Sequence, residues 1–146
     1  AARVTAVDAS EAALLVARGN GERLGLAVDW RRGDWWQPVV TERFDLTVSN
    51  PPYIPEGDKH LAELRHEPID ALTPGGDGLD AFRRICAGAG NHLRPGAWML
   101  FEHGFDQAEA VRALLQSAGF VEVCSRSDLS GLSRCSGGRW IGGPDV

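Results

Sequence analysis

Apolar residues in this chain fall into short runs separated by longer amphipathic stretches. Residues 3–8 (Arg3 to Asp8) form an apolar run ending on an acid, which predicts a buried strand. Ser10 stands where a helix cap belongs, and the spacing after it predicts a helix over 11–24. Residues 26–30 predict a second short strand. Over 44–49, Phe44, Leu46 and Val48 alternate with Asp45, Thr47 and Ser49, the strand period of two. Leu79, Phe82, Cys86 and Leu93 recur on one face of a helix over 79–93, which Arg94-Pro95-Gly96 stops. Residues 97–102 are almost continuously apolar, as in a central parallel strand covered on both faces. Asp106 and Glu109 form a candidate capping box for a helix over 107–118, apolar at Ala108, Val111, Leu114 and Leu115 and closed by Gly119. Residues 120–125 and 139–142 predict two last strands joined by a Ser/Gly-rich loop.

This alternation of strands and helices implies an α/β fold: a mostly parallel sheet with helices on both faces. Ligands bind such sheets beyond the carboxyl ends of the strands. Asp8, Asp34, Asn50 and Glu102-His103 all stand at or just past those ends. Between Asn50 and Gly78 the pattern breaks down. Pro51, Pro52, Pro55, Pro68 and Pro74 forbid long regular structure, leaving room for a turn or two of helix near 59–64. A loop of that length in a compact domain points to function.

Composition narrows the picture. The chain has 146 residues, 43% apolar and 24% charged, ordinary for one globular domain. No apolar run approaches the ~20 residues of a membrane helix, and no signal-peptide pattern opens the sequence. Three widely spaced cysteines, Cys86, Cys124 and Cys135, suggest reduced thiols and not a disulfide framework or zinc site. The expectation is a cytoplasmic protein. The net charge of −5 speaks against broad contact with nucleic acid, while leaving room for one small basic groove.

Asn50-Pro51-Pro52-Tyr53, directly after the strand over 44–49, carries the sharpest chemistry. The two prolines fix φ near −65°, and Pro51 pushes Asn50 toward extended geometry. Two acceptors, the Asn50 side-chain oxygen and the Pro51 carbonyl, can then converge on both hydrogens of a planar NH2 group, with Tyr53 stacked on its plane. Such a clamp orients a weak nitrogen nucleophile, and orientation is worth roughly 7–11 kcal/mol in ideal cases. Asp8 can accept from ribose hydroxyls; a simple turn or helix-entry role is the alternative. Asp34-Trp35, after the strand over 26–30, offers an acceptor and a stacking surface; the alternative is that Trp35 and Trp36 are packing residues. His103 could act as a base or could organise the sheet edge.

The tetrapeptide resembles the (Asn/Asp)-Pro-Pro-aromatic motif of S-adenosylmethionine-dependent amino-methyltransferases. The flanks resemble one branch of them. Arg65-His66-Glu67-Pro68, Ala71-Leu72, Gly75-Gly76-Asp77-Gly78-Leu79-Asp80, Glu102-His103-Gly104 with Gln107, and the tail from Asp128 through Arg134 to Gly138-Arg139 are similar to the HemK/PrmC family of protein-glutamine methyltransferases. The likeness runs from about Arg3 to Gly142. It implies a Rossmann-like class I methyltransferase with an antiparallel last strand, using S-adenosyl-L-methionine to methylate a glutamine amide of a peptide chain release factor.

By this resemblance Asn50 and Pro51 are catalytic; Pro52, Tyr53 and Glu67 bind substrate with them; and Asp8, Asp34, Trp35 and Asn50 contact the cofactor. No metal is implied. The family carries a glycine-rich cofactor segment before the position of Asp8 and an N-terminal helical domain. Residues 1–146 therefore read as the C-terminal portion of the methyltransferase domain, with weak cofactor binding and low stability expected of the chain by itself. Three alternatives stay open: glutamine methylation of a ribosomal protein, amino-methylation of adenine or guanine in nucleic acid, and an inactive fragment.

Overall fold

The computed structural model describes residues 2–58 and 68–142. The chain divides into two compact units, residues 1–42 and 43–146.

In the first unit, strands β1 (Val4–Asp8) and β2 (Val28–Arg32) pair in parallel, Val4 opposite Val28 and Asp8 opposite Arg32. Helix α1 (Glu11–Arg23) connects them. It starts where the sequence places its cap: the Ser10 side chain accepts the Ala13 N–H at 3.3 Å. It buries Leu14 and Gly21. A Cβ on Gly21 would lie 3.1 Å from the Trp30 ring, so the glycine lets the helix settle on β2. The second strand runs two residues later than the pattern over 26–30 suggests, because Leu26 turns back to donate its N–H to the Gly21 carbonyl at 2.9 Å. A short 3₁₀ turn, Gln37–Val39, buries Val39. Arg31 binds this turn to β2 by donating to the Pro38 carbonyl at 2.9 Å and pairing with Asp29 and Glu42.

The second unit is a four-stranded sheet in the order β3 (Phe44–Ser49), β4 (Leu93–Glu102), β6 (Ser133–Trp140), β5 (Phe120–Ser127). Strands β3 and β4 are parallel, and β6 is antiparallel to both its neighbours. Helices α2 (Ile69–Leu72), α3 (Asp80–His92) and α4 (Ala108–Ser117) complete it. The core sits where α3 and α4 meet the sheet. Phe82, Ile85 and Ala89 of α3, Val111 and Leu115 of α4, and Ala97, Met99 and Phe101 of β4 are all buried. Phe82 and Phe101 meet edge to face, 5.2 Å between centroids.

Four expectations need correction. Only one face of residues 97–102 is fully covered; Trp98 and Leu100 are half-buried. β4 also begins earlier, at Leu93, and bulges outward through Arg94 to Ala97 before pairing resumes at Leu46 and Trp98. The Asp106/Glu109 box does not cap α4. Gln107 is its N-cap, with no side-chain cap bond, and its own amide closes the preceding turn. The last strand runs from Ser133 to Trp140 and not over 139–142, so much of the supposed loop is sheet. What remains as a turn is self-contained: Asp128 Oδ1 accepts the N–H groups of Ser130 and Leu132, and Leu129 is fully exposed. The helical turn expected over 59–64 lies outside the described residues. Among the described residues no helix is long and apolar enough to cross a membrane.

Candidate active site

Strands β3 and β4 run in parallel, so their carboxyl ends lie at one rim of the second unit. Asn50-Pro51-Pro52-Tyr53 leaves β3 at that rim. Asn50 is exposed, Pro51 is buried, and Pro52 and Tyr53 are half-buried. Together with Ile54, Ala71 and Leu72 they line a pocket of about 260 Å3. Drug-sized ligands occupy ~300–1,000 Å3, so this cavity suits one side chain or one base.

The segment is held on three sides. Ile54 donates its N–H to the Leu72 carbonyl at 3.0 Å. The Gln107 side chain donates to the Tyr53 carbonyl at 2.8 Å. Gly78, at φ +78°, packs so closely that a Cβ there would sit 2.4 Å from the Tyr53 oxygen. The loop that carries Gly78 is fixed in turn. Glu56 donates its N–H to the Gly76 carbonyl, and Asp77 accepts from the Leu79 N–H and from Arg83. The Arg83 guanidinium holds the Asp77 carboxyl down at about 2, helped by the Leu79 N–H.

His103, at the end of β4, is fully buried. Its Nδ1 lies 2.8 Å from the Gly104 carbonyl and its Nε2 lies 2.7 Å from Ser136 Oγ. Ser136 meets Ser125 at 2.8 Å, and Arg112 donates to Ser125 at 2.7 Å. In a neutral ring Nδ1–H donates to the carbonyl, so every hydroxyl points one way, from Arg112 toward His103. Both ring nitrogens are thus engaged by the chain around them, and the ring organises the end of β4 against β6.

Asp8, Asp34 and Trp35 lie in the first unit. Asp8 is exposed, and its Oδ1 accepts the Ser10 N–H at 2.7 Å, the helix-entry role. Among the described residues no hydrogen bond to its other oxygen is found. Asp34 is exposed and opens a turn in which the Gln37 N–H reaches the Asp34 carbonyl at 2.8 Å. Trp35, half-buried, occupies the first inner position of that turn at φ +46°, where glycine is the usual residue. Such a conformation costs on the order of 1–3 kcal/mol, and strain of this kind gathers at ligand sites. Glu67 lies outside the described residues.

Residues 1–127 match the pattern of the methyltransferase small domain family. The chain belongs to that family. Among curated relatives, the release factor glutamine methyltransferase of Bordetella pertussis is 55% identical over 140 residues, covering 94% of this chain and 52% of its own. The chain spans about half the length of the curated relatives it matches. Its fold also matches solved structures. A methyltransferase from Pyrococcus furiosus superposes with a TM-score of 0.70 at 22% identity, over 96% of this chain and 63% of that one. A 16S rRNA methyltransferase from Thermus thermophilus, solved with AdoMet and guanosine, gives 0.66 at 18% identity, over 95% and 32%. The domain therefore has the α/β methyltransferase fold, with a parallel strand pair in the first unit and, in the second, one antiparallel strand, β6, in an otherwise parallel sheet.

Proposed function

We propose that this domain belongs to a cytoplasmic enzyme that transfers a methyl group from S-adenosyl-L-methionine to the side-chain amide of a glutamine in a peptide chain release factor. The carrying observation is the Asn50-Pro51-Pro52-Tyr53 segment, fixed at the end of β3 around a pocket of side-chain size. The 55% identity to a release factor glutamine methyltransferase supports glutamine as the acceptor. The fold alone does not choose it, since an rRNA methyltransferase shares that fold.

An amide nitrogen is a poor nucleophile because its lone pair is delocalised. The Asn50 side-chain oxygen and the Pro51 carbonyl hold its two hydrogens, which keeps electron density on nitrogen as the methyl arrives. Tyr53 and Pro52 flank the amide plane. Orientation and electrostatic preorganisation supply the rate, and the reaction needs no metal. The cofactor, when bound, supplies an electrophilic methyl on a sulfonium. The residues offered for it fit its chemistry. Asp8 keeps a second carboxylate oxygen for ribose hydroxyls, the strained turn presents Trp35 for stacking on adenine, and Asp34 can accept from the adenine amine. Residues 1–146 are read as the C-terminal portion of the catalytic domain.

The test is methyl transfer from labelled cofactor in the full-length protein, with release factor, ribosomal protein and oligonucleotides offered as competing acceptors. Labelling of a release factor glutamine supports the reading. Labelling of adenine or guanine with none of release factor overturns it.

A further inference from the structure

The clamp has an anchoring problem. It must hold two oxygens at a fixed height, yet Pro51 and Pro52 remove two of the four backbone N–H groups of Asn50-Pro51-Pro52-Tyr53. Its carbonyls and the residue that follows must therefore carry much of the anchoring. Ile54 supplies one tie, to the Leu72 carbonyl. Gln107 supplies another, and its geometry is specific. Its Oε1 accepts the Gly104 N–H at 2.9 Å and its Nε2 donates to the Tyr53 carbonyl at 2.8 Å. A backbone N–H must meet the oxygen and a carbonyl must meet the NH2 group, so the amide has one possible orientation. Gln107 is 8% exposed, so water does not compete strongly for either bond.

The far end of this strut is rigid. The Gly104 carbonyl takes two donors, the Gln107 N–H at 3.0 Å and His103 Nδ1 at 2.8 Å. His103 in turn is fixed through Ser136 and Ser125 to Arg112 on α4. Gly78 supplies the clearance on the Tyr53 side: a Cβ there would lie 2.4 Å from the Tyr53 oxygen and 3.0 Å from Gln107 Nε2. Only hydrogen fits between the loop and the strut.

We propose that Gln107 is a positioning residue for methyl transfer: the bond from its amide to the Tyr53 carbonyl sets the height of Asn50 and the Pro51 carbonyl above the end of β4. This rests on the clamp reading above. It predicts that loss of the bond leaves the domain folded and the acceptor still captured, while the amide nitrogen meets the methyl at the wrong distance. Misplacement of about 1 Å can cost ~10²-fold in rate.

Two substitutions separate the contacts. Gln107→Glu keeps an acceptor for the Gly104 N–H and sets an oxygen against the Tyr53 carbonyl. Gln107→Met keeps the length and removes both bonds without introducing a charge. In the full-length protein each should lower kcat by about tenfold or more, with KM for release factor and the Kd for S-adenosylhomocysteine within about threefold of wild type. Amide exchange at Ile54 should quicken about tenfold, as expected for a lost anchor of ~1.4 kcal/mol, while Val111 and Leu115 in α4 keep their protection. Unchanged Ile54 exchange in a folded variant overturns the proposal, as does unchanged kcat. Equal loss of protection in α4 overturns it too, because Gln107 would then merely hold the helix start. If the wild-type protein methylates no glutamine while Ile54 exchange still responds, the strut stands and the glutamine-clamp reading falls.

Discussion

At the scale of single residues, Asn50 is exposed at the end of β3 beside a buried Pro51, so its side chain can be changed at little cost to packing. Asn50→Ala in the full-length protein should abolish methyl transfer while leaving S-adenosylhomocysteine affinity within about threefold, as calorimetry can check. Gly78 was quoted within a motif, but its reason was hidden: its closest approach is to an oxygen 25 positions earlier in the chain. Gly78→Ala combines a strained φ of +78° with a 2.4 Å clash. It should lower kcat about as much as Gln107→Met, because it pushes the same carbonyl from the opposite side. Trp35 at φ +46° could not be read from sequence at all, since no pattern records a positive φ outside glycine. Asn tolerates that conformation better. Trp35→Asn should therefore leave the melting temperature unchanged or raised while weakening S-adenosylhomocysteine by about tenfold, the worth of one stacked base. Cys86 gives a pH signature. Burial pushes its thiol up to about 12. Below pH ~9 the folded and unfolded chains both keep the proton and stability is insensitive to this group. From pH ~9 to 12 only the unfolded chain ionises this group, so stability falls, by up to ~1.4 kcal/mol per pH unit. Urea melts of wild type and Cys86→Ala across that range test it; the slope should be shallower in the variant, where Cys135, also raised by burial, still contributes.

At the scale of elements, hydrophobic period located most of the strands and helices, and its failures have physical causes. Residues 44–49 form a strand with the expected bounds, but the period marks the strand and not its covered face: Leu46 and Val48 are exposed, while Thr47 and Ser49 are half-buried. The strand Ser133–Trp140 was misread because Ser-Gly-Gly carries no apolar period. Its glycines are required by neighbours: a Cβ on Gly137 would lie 2.5 Å from Leu100, and one on Gly138 would lie 3.0 Å from Phe120 and Val123. Side chains from β4 and β5 fill the space that β6 leaves empty, a tertiary fact no local window contains. The same logic makes α3 the most sensitive helix. Phe82 is wholly buried against Phe101, and Phe82→Ala should cost about 3–5 kcal/mol in a denaturant melt.

At the scale of the whole molecule, the two units differ in how much they bury. The second holds nearly all the buried apolar side chains; in the first only Leu14 and Val39 are deeply covered. Hydrogen exchange should therefore show β1 and α1 opening at lower free energy than β4 and β6. Sequence gave the order of elements within both units, but not this imbalance, which depends on which faces find a partner. The hairpin between β5 and β6 also bears on how the molecule can be handled. Its turn satisfies its own polar groups through Asp128 and sends Leu129 wholly into solvent. Nothing else leans on that side chain. It is a socket: a fluorophore, an epitope or a tether to a surface can be fastened at position 129, and the register of the sheet beneath is set elsewhere.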